Sequence, residues 1–281
     1  MKRRTLVAGL GLSVGASALI GAKHSSAAPM LFDWNNPDHV LLAVRKLAYS
    51  GDDKLTFMWL RATRFGLVDG TFTPFWEMHV GQFFTVKDWQ GGGFEVTNMS
   101  TIFYTDPATG KFIETFKNPL TGKSVAVRYG APRVAKRHYN VNGEQRDAIT
   151  RPGMRVQMTL DIGPAWAEGD QIWVRADTSM RAVPTEAGQE RLIQVNDWST
   201  YAGSLRGVSD PEIKNPPSMW IFNDINTWAE WLEMGDHPGN YVSRGIGHKA
   251  YSFDEMPSIW KMLMKERHPQ IASDPAGALK G

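Results

Sequence analysis

LTFMWLRATRFG at residues 55–66, FTPFWEMHVGQFFTV at 72–86 and GFEVTNMSTIFYT at 93–105 set the fold class. Each run is rich in aromatic and β-branched residues, and Gly-containing breaks separate them, so they read as strands. Directly downstream one turn is written twice, as Asp106-Pro107-Ala108-Thr109-Gly110-Lys111 and Asn118-Pro119-Leu120-Thr121-Gly122-Lys123. Proline presets the second turn position, Asp or Asn caps the first, and Gly supplies a positive φ at the exit. Two such turns around KFIETF predict an antiparallel three-stranded meander.

Further strands follow as SVAVRY, MRVQMTLDI, QIWVRADTSM, RLIQVNDWSTYAG and SMWIF, with Gly169-Asp170 as a turn. Upstream, Asn36-Pro37 with Val40, Leu41, Val44 and Leu47 predicts a capped helix that Gly51-Asp52-Asp53 ends. At the other end, Asn226 through Met234 places Trp228, Trp231 and Leu232 on one helical face. Pro257 opens a second helix carrying Ile259, Trp260, Leu263 and Met264. Roughly ten antiparallel strands with short turns predict a mainly β fold, a calycin-like antiparallel barrel with short N- and C-terminal helices, because closure removes exposed edges. A two-sheet sandwich is the alternative.

The chain opens MKRRTLVAGLGLSVGASALIGAKHSSAAPM: a basic start, an apolar middle from Leu6 to Ala22, then small residues suited to cleavage after Ala27. Arg3 and Arg4 before a mildly hydrophobic Gly- and Ala-rich core are similar to the twin-arginine signal, so residues 1–27 are expected to be an export leader. Residues 28–281 then form a single periplasmic domain. The apolar run is short and broken by Gly9, Gly11, Gly15 and Gly21, so no stable membrane insertion is expected after cleavage. Lys2, Arg3, Arg4 and Lys23 leave with the leader, reducing 31 basic residues to 27 against 29 acidic ones. That balance gives no electrostatic footprint for nucleic acid. Cysteine is absent, which removes disulfides, thiolate metal sites and cysteine nucleophiles.

The two turns together with WAEWLEMGDHPGNYVSRGIGHK at 228–249 resemble domain-of-unknown-function family 1838, exported proteobacterial proteins often from sphingomonad-like organisms. The pattern is carried by Asp106, Gly110, Asn118, Pro119, Thr121 and Gly122, then by Trp228, Trp231, Met234, Gly235, Gly239, Gly247 and Lys249. The resemblance covers nearly all of the mature chain and implies a fold without a catalytic set. Some calycin-like barrels of unknown function resemble cofactor-free lyases or decarboxylases acting on lignin-derived aromatic dimers, an analogy at the level of fold.

Phe75, Glu77 and His79 alternate along one run and so share a face. Turned into a barrel, Glu77 and His79 would be a carboxylate and an imidazole in an apolar pocket, suited to acid–base catalysis; turned to water they carry no chemistry. Tyr104 before the first turn and His138-Tyr139 after the run Arg133–Arg137 add candidates for stabilising a phenolate or enolate, against ordinary packing at a barrel mouth. The run itself reads as a solvated loop. Arg155, Asp161, Arg175 and Asp177 read as a cross-strand ion ladder, with Arg175 the one candidate partner for a ligand carboxylate. Lys249 in GIGHK, with Arg244 or His248, would bring positive charge to a pocket mouth, or else mark a tight turn with a surface lysine.

His79, His138, His237 and His248 lack the spacing of a zinc site, so no metal is expected. No nucleophile elbow, phosphate loop or dinucleotide fingerprint stands in its required setting, and no cofactor is expected. GLGLSVG lies inside the leader. Two functions remain: a cofactor-independent lyase, decarboxylase or isomerase acting on an aromatic small molecule such as a lignin-derived biaryl, with His79, Glu77, Tyr104 and His138 catalytic and Arg175, Tyr139, Lys249 and Arg244 binding substrate; or a periplasmic binding or carrier protein with the same pocket. Association into a homo-oligomer is left open.

Overall fold

The computed structural model describes residues 31–145, 154–184 and 193–280. The leader reading falls on residues 1–30, outside the described residues. Helix α1 (Pro37–Ala48) starts as its sequence dictates, with Asn36 Oδ1 accepting from the Asp38 amide at 3.0 Å and Pro37 in the first turn. The strands follow as β1 (Thr56–Val68), β2 (Thr71–Asp88), β3 (Phe94–Thr105), β4 (Thr115–Lys117), β5 (Ser124–Ala126), β6 (Val134–Asn140), β7 (Gly143–Gln145), β8 (Met154–Glu168), β9 (Gln171–Pro184) and β10 (Ile193–Ser204). Helix α2 (Leu205–Ser209), β11 (Ser218–Asn226), β12 (Asn240–Ala250), α3 (Ser258–Arg267), α4 (Pro269–Ser273) and α5 (Pro275–Ala278) complete the order.

Ten strands make one antiparallel sheet in the order β7-β6-β3-β2-β1-β12-β11-β10-β9-β8. One continuous sheet displaces the sandwich alternative. The sheet curls until its ends meet: a Cβ on Gly143 of β7 would lie 2.5 Å from the Leu160 carbonyl of β8. The fold is therefore a mainly β, barrel-like antiparallel sheet. The repeated turns form as expected, with Gly110 at φ 67° and Gly122 at φ 72°, and their Asp106 and Asn118 side chains accept from amides within the turn. The meander between them is shorter than expected. It consists of the β4–β5 pair and an isolated bridge from Thr105 to Phe112.

Two expectations about the C-terminal half are corrected. Asn226–Met234 is not a helix; β11 runs to Asn226 and only Glu230–Leu232 makes a 3-10 turn. The Trp-rich segment packs instead against Phe75 and Trp76, with Trp76 5.4 Å from Trp231 and Phe75 6.2 Å from Trp228. The GIGHK segment is no turn either, because it belongs to β12, the strand between β1 and β11. Its glycines permit close backbone approach: a Cβ on Gly247 would collide with the Trp59 carbonyl of β1.

The sheet has a core on each face. On the outer face Trp260 and Leu263 of α3 cover Phe57, Phe83 and Phe103, and the Trp260 indole donates to Thr101 Oγ1 at 2.9 Å. Inside, Val44 and Leu47 of α1 are fully buried and close one end of the barrel. Two buried lysines fasten this helix. Lys46 Nζ donates to the carbonyls of Val208 at 2.8 Å and Asp210 at 2.7 Å, and Lys249 Nζ donates to those of Lys46 and Pro216.

Candidate small-molecule site

Strand alternation puts one set of side chains into the barrel. Leu60 of β1, Met78, Val80 and Gln82 of β2, Ser100 and Ile102 of β3, and Arg137 and Tyr139 of β6 face a cavity of about 380 Å³. Leu160, Thr178, Asp197, Ser199, Tyr201, Phe222, Asp224 and Tyr241 line it from β8 to β12. Nine strands of the large sheet contribute. Ser100, Ile102 and Arg137 also belong to a lateral opening of about 540 Å³, whose walls include Asn98, Tyr104, Tyr129 and Arg133. Ile102 is 40% exposed although it is on the inner face, because β6 pairs only with Phe94–Met99 of β3.

The lining has two polar regions. Beside α1, the Tyr49 and Tyr139 hydroxyls meet at 2.5 Å, and Tyr139 also hydrogen-bonds the Arg137 side chain. Tyr201 stacks on Trp220, whose indole donates to Ser199 Oγ at 3.0 Å. Burial, then the neighbouring Tyr49, push the Tyr139 hydroxyl well above its ordinary range. Tyr201 is raised for the same two reasons. Burial opposes the charge on Arg137, yet Tyr139 and Tyr49 hold its pKa above the ordinary value. This region therefore sets the Arg137 guanidinium beside the hydroxyls of Tyr139 and Tyr49, with the Asp197 carboxylate in the same lining.

Farther along β1 and β11, Arg64 Nη1 donates to both carboxylate oxygens of Asp224 at 2.9 Å, and its guanidinium lies 4.2 Å from the centre of the Tyr241 ring. Burial pushes the nearby Tyr104 hydroxyl up to about 12 and keeps it neutral. Two buried polar atoms of this region have no partner among the described residues: Arg64 Nε and Asn226 Oδ1. Both residues line the cavity.

The eight residues predicted from sequence do not form one site. Tyr139 faces the cavity and Tyr104 its lateral opening. Glu77 and His79 are on the opposite face of β2 from Met78 and Val80 by strand alternation, and the register slip between Arg64 and Phe65, which leaves Phe75 as the extra residue of a bulge, takes Phe75 off their face. Phe75 therefore joins the inner aromatic cluster, and Glu77 ion-pairs with Arg61 on the outer face. His79 is buried there against Thr105 Oγ1 at 3.0 Å, and burial, with Arg61 beside it, lowers its pKa. His138 also points outward; it stacks on Trp89 at 4.5 Å and meets Glu95 at 2.9 Å.

Arg175 turns away from the cavity, which its neighbours Ala176 and Thr178 line, and pairs with Asp177. Arg244 lies exposed in an outer groove with Arg61 and Ile246. Lys249 is 7% exposed beneath α1, a structural role in place of a pocket mouth or surface turn. Arg137 belongs to β6, so four of the five residues of the run expected to be a solvated loop are strand.

Arg64, Asp224, Tyr49 and Tyr201 went unnoticed in the sequence. A signal existed: in SMWIFNDIN alternate positions from Trp220 and Phe222 lead to Asp224 and Asn226, which places two polar residues on the apolar face. Among the described residues no three of His, Asp and Glu come together as metal ligands, and no helix is long and apolar enough to cross a membrane. No curated protein and no solved structure matches the chain. The family described as "Protein of unknown function (DUF1838)" matches residues 72–280, from the start of β2 through the C-terminal helices, and the chain belongs to that family.

Proposed function

We propose that the barrel is a binding site for a ring-bearing small molecule with an acidic oxygen, held by Arg137 and the hydroxyls of Tyr139 and Tyr49. The observation that carries this reading is the half-buried Arg137 guanidinium beside the Tyr139 and Tyr49 hydroxyls in the lining of a cavity of about 380 Å³. A guanidinium fork and the one hydroxyl proton that the Tyr49–Tyr139 hydrogen bond leaves free match a carboxylate or phenolate. Leu60, Val80, Ile102, Leu160 and Phe222 supply the apolar walls that aromatic rings need. A pocket of a few hundred Å³ with a few convergent polar groups is the usual form of such a site.

A catalytic version, a cofactor-independent lyase, decarboxylase or isomerase on aromatic compounds, is favoured by one feature. Asp197 lines the same cavity as the donor cluster, so a carboxylate able to move a proton shares the space with groups suited to stabilising an oxyanion. We place the protein in the periplasm through the twin-arginine route, on the strength of Arg3 and Arg4.

Calorimetric titration with aromatic acids, biaryl carboxylates and phenolic dimers, each beside its methyl ester or ether, tests the reading. Acids should bind and their neutral derivatives should bind much more weakly. Equal affinity for acid and ester, or no binding across the panel, would overturn it. Mass analysis of the same mixtures separates turnover from storage.

A further inference from the structure

Described residues close the barrel at both ends. At one end α1 seats Val44 and Leu47, both fully buried. At the other, where β1 ends and β2 begins, Phe116 and Trp228 pack against Phe75 and Trp76, and all four are buried. The side wall is interrupted between β3 and β6. β6 leaves β3 at the Met99–Val134 pair, and the next bond on that edge is the one the Tyr104 carbonyl accepts from the Ile113 amide at 3.2 Å. From Met99 to Tyr104 the strand rises about 17 Å at 3.4 Å per residue. Residues of the irregular stretch 127–133 form the far rim.

Ile102 marks this gap as continuous with the cavity: its side chain lines the cavity, yet it is 40% exposed. Ser100 also belongs to both linings. The rim carries rings and positive charge. Tyr129 stacks on Phe112 at 4.9 Å and meets the Tyr104 ring at 5.3 Å. Arg133 and Lys136 are exposed there, and no described residue of the lining is acidic. Cations of one sign at the mouth of a low-dielectric opening concentrate anions and repel cations.

We propose that ligands enter and leave the barrel through this side opening, and that Arg133 and Lys136 make the passage selective for anions. Both residues act before the cavity is reached, so they set the rate of entry and leave the grip on a bound ligand to the interior. That the anion is an aromatic acid rests on the binding role proposed above; the route itself does not.

The protein has no cysteine, so Ser100→Cys places a single thiol where opening and cavity share a wall, and Ile102→Cys does so at a second position. Each folded variant is reacted with an anionic and a cationic methanethiosulfonate, the 2-sulfonatoethyl and 2-(trimethylammonio)ethyl reagents, and each rate is divided by that reagent's rate with mercaptoethanol. The anionic reagent should react about tenfold faster, and added salt should erode the ratio. With Arg133→Gln and Lys136→Gln together the ratio should fall to near one. Ala131→Trp, on the exposed rim and outside the cavity lining, should slow both reagents. A thiol that neither reagent reaches at either position, or rates that Ala131→Trp leaves unchanged, overturn the route. Equal normalised rates, or a preference that persists without the two cations, overturn the selectivity. Saturating biphenyl-4-carboxylate should protect the thiol; labelling that ignores it, with the preference for the anionic reagent intact, rejects the acid-binding role and leaves the opening in place.

Discussion

Replacing Asp224 with alanine should leave the Arg64 guanidinium buried beside an empty space. The side chains of Arg64 and Asp224 are 8% and 4% exposed, and both carboxylate oxygens accept from one nitrogen at 2.9 Å. Removing one member of a buried pair costs about 3–5 kcal/mol, because the remaining charge keeps its desolvation penalty and loses its compensation. The Tyr241 ring, 4.2 Å from the guanidinium, is there before and after the change and so does not enter the difference. Replacing both partners, as Arg64→Met with Asp224→Leu, removes the charge altogether and should recover most of the loss. Urea unfolding at neutral pH reads these differences from the midpoint at constant slope. A loss below about 1 kcal/mol in Asp224→Ala, or a double variant no more stable than the single one, would refute the view that this pair is a desolvated unit.

Three further outcomes follow from particular residues. Gly122 sits at φ 72° with nothing near its missing Cβ, so Gly122→Ala should cost only the left-handed backbone, about 1–2 kcal/mol by thermal unfolding. Burial lowers Lys249 to about 7, whereas the unfolded chain keeps its ordinary value near 10.5, so between these pH values the unfolded state binds more protons and stability should rise with pH. Lys249→Met should flatten that rise in denaturation curves taken at pH 7, 8.5 and 10. Replacing Arg3 and Arg4 with lysine should keep the precursor in the cytoplasm of a twin-arginine-competent host, and undiminished delivery in a fractionation assay would reject that export route.

Local patterning made the strands readable, since aromatic and β-branched residues between Leu55 and Thr105 have few other uses at that density. The two turns were equally plain, because proline and glycine act on φ directly. What stayed hidden was which side of each strand points inward. On β2 Glu77 and His79 point to the outer face and not to the expected interior, and one extra residue at Phe75 takes that side chain off their face. β12 was masked by Gly245 and Gly247, which weaken strand propensity yet are required by the close approach of β1. Arg137 looked solvated because its neighbours Arg133 and Lys136 are charged, and only pairing with β3 turns it inward. The fold was thus local information, while the site was set by register between distant strands.

The most direct test of the cavity as an acid-binding site is a crystal structure of the protein with 4′-bromobiphenyl-4-carboxylate, in which anomalous scattering locates the bromine independently of the fitted model. The carboxylate should lie against Arg137 and Tyr139, with the bromine inside the barrel. Bromine in the outer groove beside Arg61 and Arg244, with the barrel interior free of ligand, would contradict the account.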